Sequence, residues 1–485
     1  MRRLVHAEWT KFRTVRGWVV GMLVAIPLTV LVGLLGPLGS QMDCAGPDGK
    51  PCAAGVPPTG PGGEAVHDGF YFLHRTLTGD GTITARVHAL PDDAEPWAKA
   101  GVIVKDGTEP GSAYAAVMLT GAHGVRMQYD FTSDVAGPRS DADEQWVRLT
   151  RTGNELSGST SPDGEHWAAL GTVRLDGLGD AVEAGMFVSS PEHVEITRGF
   201  GSVDAMGGPT STTTTFDEVA VDGDWSAGWQ GTEVGGRSAM DTGHTGDGDR
   251  FTITGHGDIA PLVPDQGSRG RTVENALVGV FAGLIAVLVV ATLFVTSEHR
   301  RGLIRTSLAA STRRGRLFAA KAVVLGGVSF VTGVASAALA IPLVQAVEEA
   351  KGMYLFPTSA ATVVRVIAGT GLLFAVAAVL ALAVGMLLRR GAGTVTTVVV
   401  GVVLPYLLAV ASVLPAGPAE WLTAVTPAAA FAVQQTIPEY PQVNGSYTPA
   451  DGYFPLSPGG GFAVLCAYAL VAVVLAVVAL RRRDA

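Results

Sequence analysis

Six apolar runs, each long enough for a helix to cross a bilayer, decide what this chain can fold into. They are Trp18–Leu38, Val273–Thr296, Phe318–Val344, Val363–Leu388, Thr394–Leu414 and Gly461–Leu480. About 20 apolar residues span about 30 Å of hydrocarbon, and in that medium a helix satisfies every backbone N–H and C=O within itself. The third and fourth runs exceed the minimum and are expected to tilt or project. Pro27, Pro342 and Pro405 fall in or near the ends of runs, where kinks rather than breaks are expected. Only 16% of the 485 residues are charged, against about 25% in an ordinary soluble protein. With 48% hydrophobic residues and a net charge of -9, a disordered or nucleic-acid-binding chain is excluded.

The charge is unevenly placed. Residues 36–273 hold 34 acids and 15 bases, a balance of -19, and the remainder holds 9 acids and 19 bases, a balance of +10. An acidic, Gly- and Asp-rich segment is thus set inside a basic, Ala/Val/Leu-rich frame. Bases near span ends stay on the cytoplasmic side. They cluster at Arg2, Arg3, Lys11, Arg13 and Arg16, between Arg300 and Lys321, at Arg389 and Arg390, and at Arg481–Arg483. These are alternate loops, so both termini are expected in the cytoplasm, the acidic segment outside, and the protein in the plasma membrane as a multi-pass chain. A cleaved signal peptide is the competing reading of the first run, but the run is too long and no A-x-A site follows it. Arg2-Arg3 reads as a topology signal, since the rest of a twin-arginine motif is missing.

Cys466 lies in the last run and is expected to be a small buried hydrophobe. Cys44 and Cys52 flank a Gly/Pro-rich external stretch, where an oxidising compartment permits a disulfide. Metal binding is the weaker reading there, since no further Cys or His is near. The acidic segment itself reads as β structure. Thr82–Val87, Ala100–Lys105, Tyr114–Leu119, Gly124–Tyr129, Trp146–Thr150 and Ala184–Val188 alternate with Gly, Asp and Pro turns, and Thr215–Val221 reads as a closing strand. Residues 223–272 read as a tether or small appended β element. The expected fold is a polytopic membrane protein of six transmembrane helices with an inserted all-β sandwich. Its parts are a leading helix and first span over 1–38, a linker over 39–65, the sandwich over 66–222, the tether over 223–272, and spans two to six with a cytoplasmic loop at 297–317.

The stretches beginning at Asp68-Gly-Phe-Tyr, Gly79-Asp-Gly-Thr, Pro96-Trp-Ala-Lys and Ser161-Pro-Asp-Gly resemble the concanavalin A-like jelly-roll domains of many bacterial surface proteins over 66–222. The resemblance implies a two-sheet sandwich, often in a carbohydrate-recognising setting. It does not extend to a glycosidase, which needs two carboxylates across a cleft. No E-x-D-x-x-E strand occurs, and Asp141, Asp143 and Glu144 read as a solvated turn. For glycan binding, Trp97, Tyr114, Tyr129 and Trp167 are candidate stacking platforms with Arg126 and Gln128 beside them. Trp146 belongs to the same set, and the competing reading places most of these aromatics in the core. The runs Asp217–Asp224 and Asp241–Asp249 lack EF-hand spacing and read as solvated loops rather than calcium sites.

The basic frame carries the more specific pattern. Leu4, Val5, Glu8, Trp9 and Phe12, with Lys11 and Arg13 between them, form an amphipathic stretch suited to the inner leaflet. The loop after the second run reads Glu298-His-Arg-Arg-Gly-Leu-Ile-Arg305. This pair resembles the leading helix and the E-x-x-x-G-x-I-R loop of type-2, exporter-class ABC transporter permeases. The resemblance covers 1–38 and 273–485, and departs from simple members in its long first external loop. It implies that Glu298, Gly302, Ile304 and Arg305, flanked by Arg300 and Arg301, form a coupling helix docking on an ATPase subunit. It also implies interfacial or re-entrant helices around Ala419–Gln435, with Trp421 at the headgroups. No G-x-x-x-x-G-K-[ST] loop occurs in the chain, so no catalysis and no cofactor are expected here, and ATP with magnesium belongs to a partner. The expected partners are that ATPase, a second permease of the same or a sister kind, membrane lipids and an extracellular glycan, with no nucleic acid. The alternative function is a membrane-anchored glycan-binding sensor. The spans are nearly free of ionisable groups, and Lys321 and Arg365 are expected to snorkel from span ends.

Overall fold

A computed structural model of the chain describes residues 1–39, 56–138, 144–199, 202–236, 240–264, 270–300, 314–445 and 447–482. Helix α1 spans Arg2–Thr14 and α2 spans Arg16–Gly39. After the β region come α3 (Val273–Ala276), α4 (Val280–Arg300), α5 (Arg314–Ala350), α6 (Ala360–Leu388), α7 (Gly391–Val402), α8 (Leu404–Val410), α9 (Ala416–Val425) and α10 (Pro458–Arg482). Among the described residues, six helical stretches are long and apolar enough to cross a membrane: α2, α4, α5, α6, α7 with α8, and α10.

Two expected boundaries shift for physical reasons. The second span begins at Val280 because Thr272 closes a reciprocal cap with Asn275 and starts a separate short turn, α3. The fifth span ends at Val410 and is parted at Val403, next to Pro405, which has no N–H to continue the ladder. Pro27 and Pro342 are instead accommodated inside unbroken helices. At the α6–α7 junction Arg389 adopts the left-handed conformation, φ 56°, and its N–H closes on the Gly385 carbonyl.

The helices pack through small residues. Gly21, Ala25, Thr29 and Gly33 recur every fourth position on α2 and form a stripe facing α4. A Cβ on Gly283 would stand 2.1 Å from the Thr29 hydroxyl and 2.9 Å from the Ala25 carbonyl oxygen, and one on Gly33 2.9 Å from the Ala276 carbonyl oxygen. Helix α4 is consequently buried, with Leu284, Val287, Leu288, Ala291 and Phe294 in the membrane-domain core.

Between α2 and α4 lies a β sandwich built on the 19-residue strand Phe70–His88. Its first half pairs with Ala181–Ser189 and Gln230–Val234, and its second half with Glu144–Thr152 and Ser211–Trp225. The strand therefore belongs to both layers. Alternate residues Gln145, Val147, Leu149 and Arg151 point inward from Glu144–Thr152, as period-two geometry requires. Lys99–Lys105 and Tyr114–Thr120 are buried along their whole length. One face of these two strands meets the core of Leu73, Val102, Val117 and Leu149, and the other meets Phe70, Phe72, Phe131 and Phe187.

Much of residues 223–272 is strand. Gln230–Val234 pairs with the long strand, Arg250–His256 pairs with Ser211–Phe216, and Ile259–Pro261 pairs with Val66–Asp68. Backbone pairing to strands far away in sequence overrides a Gly/Asp-rich composition that by itself favours loops. The sandwich is also bonded to the helical domain. Gly270–Arg271 runs parallel to Tyr354–Leu355 in the α5–α6 connection, and the Gln442 amide donates to the Phe131 carbonyl at 3.2 Å.

The close α2–α4 approach predicts that Gly283→Leu drives these helices apart at a cost of about 1–3 kcal/mol or more. A lower unfolding temperature of the detergent-solubilised protein is the expected result.

Candidate functional site

At the end of the helical domain that carries the N-terminus, α1 packs on α4 and α5 rather than lying free. Phe12 is buried, with its ring centroid 6.0 Å from that of Phe294, and Trp18 meets Phe294 edge-on at 5.0 Å. Trp9 stacks on Phe12 but stays exposed, as does Arg13. Glu8 lies one turn before Phe12 and is only 1% exposed. An amphipathic helix on a lipid surface would keep that carboxylate in water; here it points into the protein.

What it meets is Lys321 of α5. The Lys321 ammonium is 2.8 Å from Glu8 Oε2 and 2.7 Å from Glu298 Oε1 of α4, and stands 4.8 Å from the centre of the Phe294 ring. Lys11 completes the group, 2.9 Å from Glu8 Oε1 and 3.3 Å from Glu298 Oε1. Burial pulls the Lys11 ammonium down, yet Glu8 and Glu298 outweigh it and hold its pKa above the ordinary lysine value. Lys321 does not snorkel. It has 0% exposure, because two carboxylates inside the helix junction replace the water it would otherwise seek. Arg365 is exposed and donates to the carbonyls of Val433 and Gln435 at the end of a 3-10 helix.

Of the expected coupling residues, Glu298 falls in this group. Arg300 closes α4, with its side chain outside what is described, and Arg301, Gly302, Ile304 and Arg305 lie outside the described residues, as do Cys44, Cys52, Asp141 and Asp143. The grouping of Glu8 and Lys11 with Glu298 is not visible in either motif alone. Lys321 was missed because a lone lysine at the edge of an apolar run looks like a snorkelling group.

At the opposite end Glu274 of α3 accepts from the Thr436 backbone N–H and, at 2.7 Å, from its hydroxyl. Residues 427–434 form a buried 3-10 helix and α9 leaves Trp421 exposed. Neither segment has the length of a further span.

The aromatics read as glycan platforms differ in exposure: Trp97 and Tyr114 are buried, and Tyr129, Trp146 and Trp167 are partly exposed. Trp97 is 4% exposed, stacked on His123 at 3.9 Å with the Arg126 guanidinium 5.4 Å from its centroid. Arg126 is paired with Asp134, and buried Gln128 donates to the same carboxylate at 2.9 Å. Tyr114 is fully buried against Phe131, beside a fully buried Lys105–Asp68 pair. Burial pushes the Asp68 carboxyl up and the Lys105 ammonium down. Tyr129 is half-buried against the sandwich core. Trp167 lies beside the other layer with the Arg148 guanidinium 3.6 Å above its ring. Trp97 and Tyr114 thus offer no open stacking face, because the aromatic area that would attract a sugar is spent on the core.

Asp217–Asp224 lies in a strand and Gly243–Asp247 forms another, so neither acidic run is a simple loop. Among the described residues no three His, Cys, Asp or Glu converge as metal ligands. Asp217 instead takes a two-pronged contact from Arg86 at 2.6 and 2.9 Å and a contact from His88 at 3.0 Å.

A helical bundle of six apolar spans carrying an inserted β sandwich defines a multi-pass membrane protein. The chain belongs to the ABC-2 family of transporter proteins, whose pattern it matches over residues 135–485. Among curated proteins none matches the sequence. Solved structures similar to it include a functionally unknown protein from Saccharomyces cerevisiae at 17% identity, covering 32% of this chain and 75% of that one with a TM-score of 0.22. Scytalido-glutamic peptidase is similar at 12% identity, covering 40% and 100% with a TM-score of 0.27. Sheep galectin-11 is similar at 12% identity, covering 28% and 96% with a TM-score of 0.18. Similarity at this level assigns neither fold nor activity.

Burial raises the Asp217 carboxyl, but hydrogen bonds and charge from Arg86 and His88 outweigh it and hold the group below the usual carboxylate range. Its contribution to stability is therefore complete above the unfolded value of about 4 and is lost as pH falls through the lower folded value. Asp217→Asn is expected to cost about 1–2 kcal/mol at pH 6 and to flatten part of the loss between pH 5 and pH 3, read by tryptophan fluorescence during thermal unfolding.

Proposed function

We propose that this chain is the membrane-spanning permease subunit of an ATP-driven exporter, with ATP and magnesium bound and hydrolysed by a separate ATPase subunit. The observation that carries the reading is the junction of α1, α4 and α5, because it ties an N-terminal helix to both stems of the 301–313 connection in a chain of the ABC-2 family. The basic residues at that end favour a cytoplasmic location for both termini, with the sandwich outside the plasma membrane. An ATPase pressing on the connection would bias the bundle between inward- and outward-facing arrangements through differential binding. One six-span chain supplies half a pathway, so a second copy or a sister permease completes it. Residues 281–297, 322–347 and 366–388 contain no Asp, Glu, Lys or Arg. Their polar groups include the buried hydroxyls of Thr292, Ser329, Ser336 and Thr370. An apolar or amphiphilic cargo suits such a path.

The concanavalin A-like character of the sandwich and a glycan ligand remain part of the proposal for the external side. Its bonds to the α5–α6 connection and to Gln442 favour a role within the permease over that of an independently tethered sensor.

Pull-down from native membranes in mild detergent tests the reading. An ATP-hydrolysing partner is expected with the wild-type chain and is expected to be lost with an Arg300→Ala, Arg301→Ala, Arg305→Ala variant. Absence of any ATPase from the wild-type preparation would remove the permease assignment.

A further inference from the structure

We propose that Lys321 is a positioning residue for coupling, which locks α1, α4 and α5 into one moving unit. The proposal rests on the permease reading and adds a residue that neither motif contains. Three helices contribute to a two-plus-two charge group: Glu8 and Lys11 from α1, Glu298 from α4 and Lys321 from α5. The Lys321 side chain has 0% exposure, Glu8 2% and Glu298 6%, so water cannot replace a lost partner. Apolar side chains of similar volume at such a site commonly give equal or greater stability. What the ions add is geometry, since only one placement of the three helices satisfies both carboxylates at once. Glu298 is two residues before the end of α4, and Lys321 is seven residues into α5, so the group grips both stems of the 301–313 connection. Phe12 and Trp18 meeting Phe294 supply an apolar contact that survives loss of the charges. A push on the connection is then carried into α1 as well as into the bundle, and without Lys321 the stems move while α1 lags.

The test uses the full-length chain with its copurified ATPase and compares wild type with Lys321→Met, with the fully charge-reversed group Glu8→Lys/Lys11→Glu/Glu298→Lys/Lys321→Glu, and with Glu8→Gln/Glu298→Gln/Lys321→Met. The last variant removes the three buried charges and leaves only the Lys11 ammonium, whose side chain is 41% exposed and can turn to water, so it remains informative if Lys321→Met fails to fold. Two quantities are read: hydrogen exchange of the α1 amides, and ATP turnover per assembled complex. Lys321→Met and the neutral triple are expected to speed α1 exchange and to lower turnover at least tenfold at unchanged partner content. The fully charge-reversed group is expected to restore both to within threefold. Wild-type turnover in the folded neutral triple would overturn the proposal, because the charges would then serve folding alone. If wild type brings down no ATPase, the permease reading fails by itself, and α1 exchange still decides whether Lys321 holds the three helices together; unchanged exchange in Lys321→Met overturns that too.

Discussion

A lysine ammonium shut away from water must find its compensation inside the protein, and Lys321 finds it in two carboxylates from two other helices. That requirement organises one end of the molecule. Helix α1 cannot simply lie in the headgroup layer with Glu8 in solvent, and the α4–α5 pair cannot splay apart without stranding a charge. The aromatic contact of Phe12 and Trp18 with Phe294 fixes the same junction from its apolar side. Dispersion and charge thus select one arrangement, and the small-residue stripe of α2 lets α4 approach closely enough to reach it.

The other end is organised by backbone pairing. The long strand Phe70–His88 serves both layers of the sandwich, and the segment leading back to the membrane returns through it several times before pairing with the α5–α6 connection. Glu274 then fastens the start of the second span to Thr436. Loops that are distant in sequence are consequently joined through the inserted domain and its neighbours.

Much of this architecture is legible in the residues. Length and apolarity place the six spans because a bilayer accepts little else. Alternation with Gly and Asp turns places the strands, and Thr82–Val87 and Trp146–Thr150 pair as neighbours through Glu144–Thr152 and Phe70–His88. The partners of the strands in residues 223–272 were not legible, because those strands contain Gly, Asp and Thr and gain their stability from partners supplied elsewhere. The burial of Trp97 and Tyr114 has a related cause. Whether Trp97 or Tyr114 faces a ligand or a core depends on which strands cover it, and burial cannot be read from a residue type that suits both.

The sequence by itself determined the solvent of each segment, since transfer of apolar and charged groups is local and nearly additive along the chain. It also marked Glu8, Lys11 and Glu298 through two short motifs. Only the tertiary structure decided that these carboxylates converge on Lys321, which is 313 residues from one and 23 from the other. The physical reason is that an ion's surroundings are set by what packs against it in space. A lysine near the end of an apolar run carries the same residues on either side whether it reaches for water or is held by two glutamates.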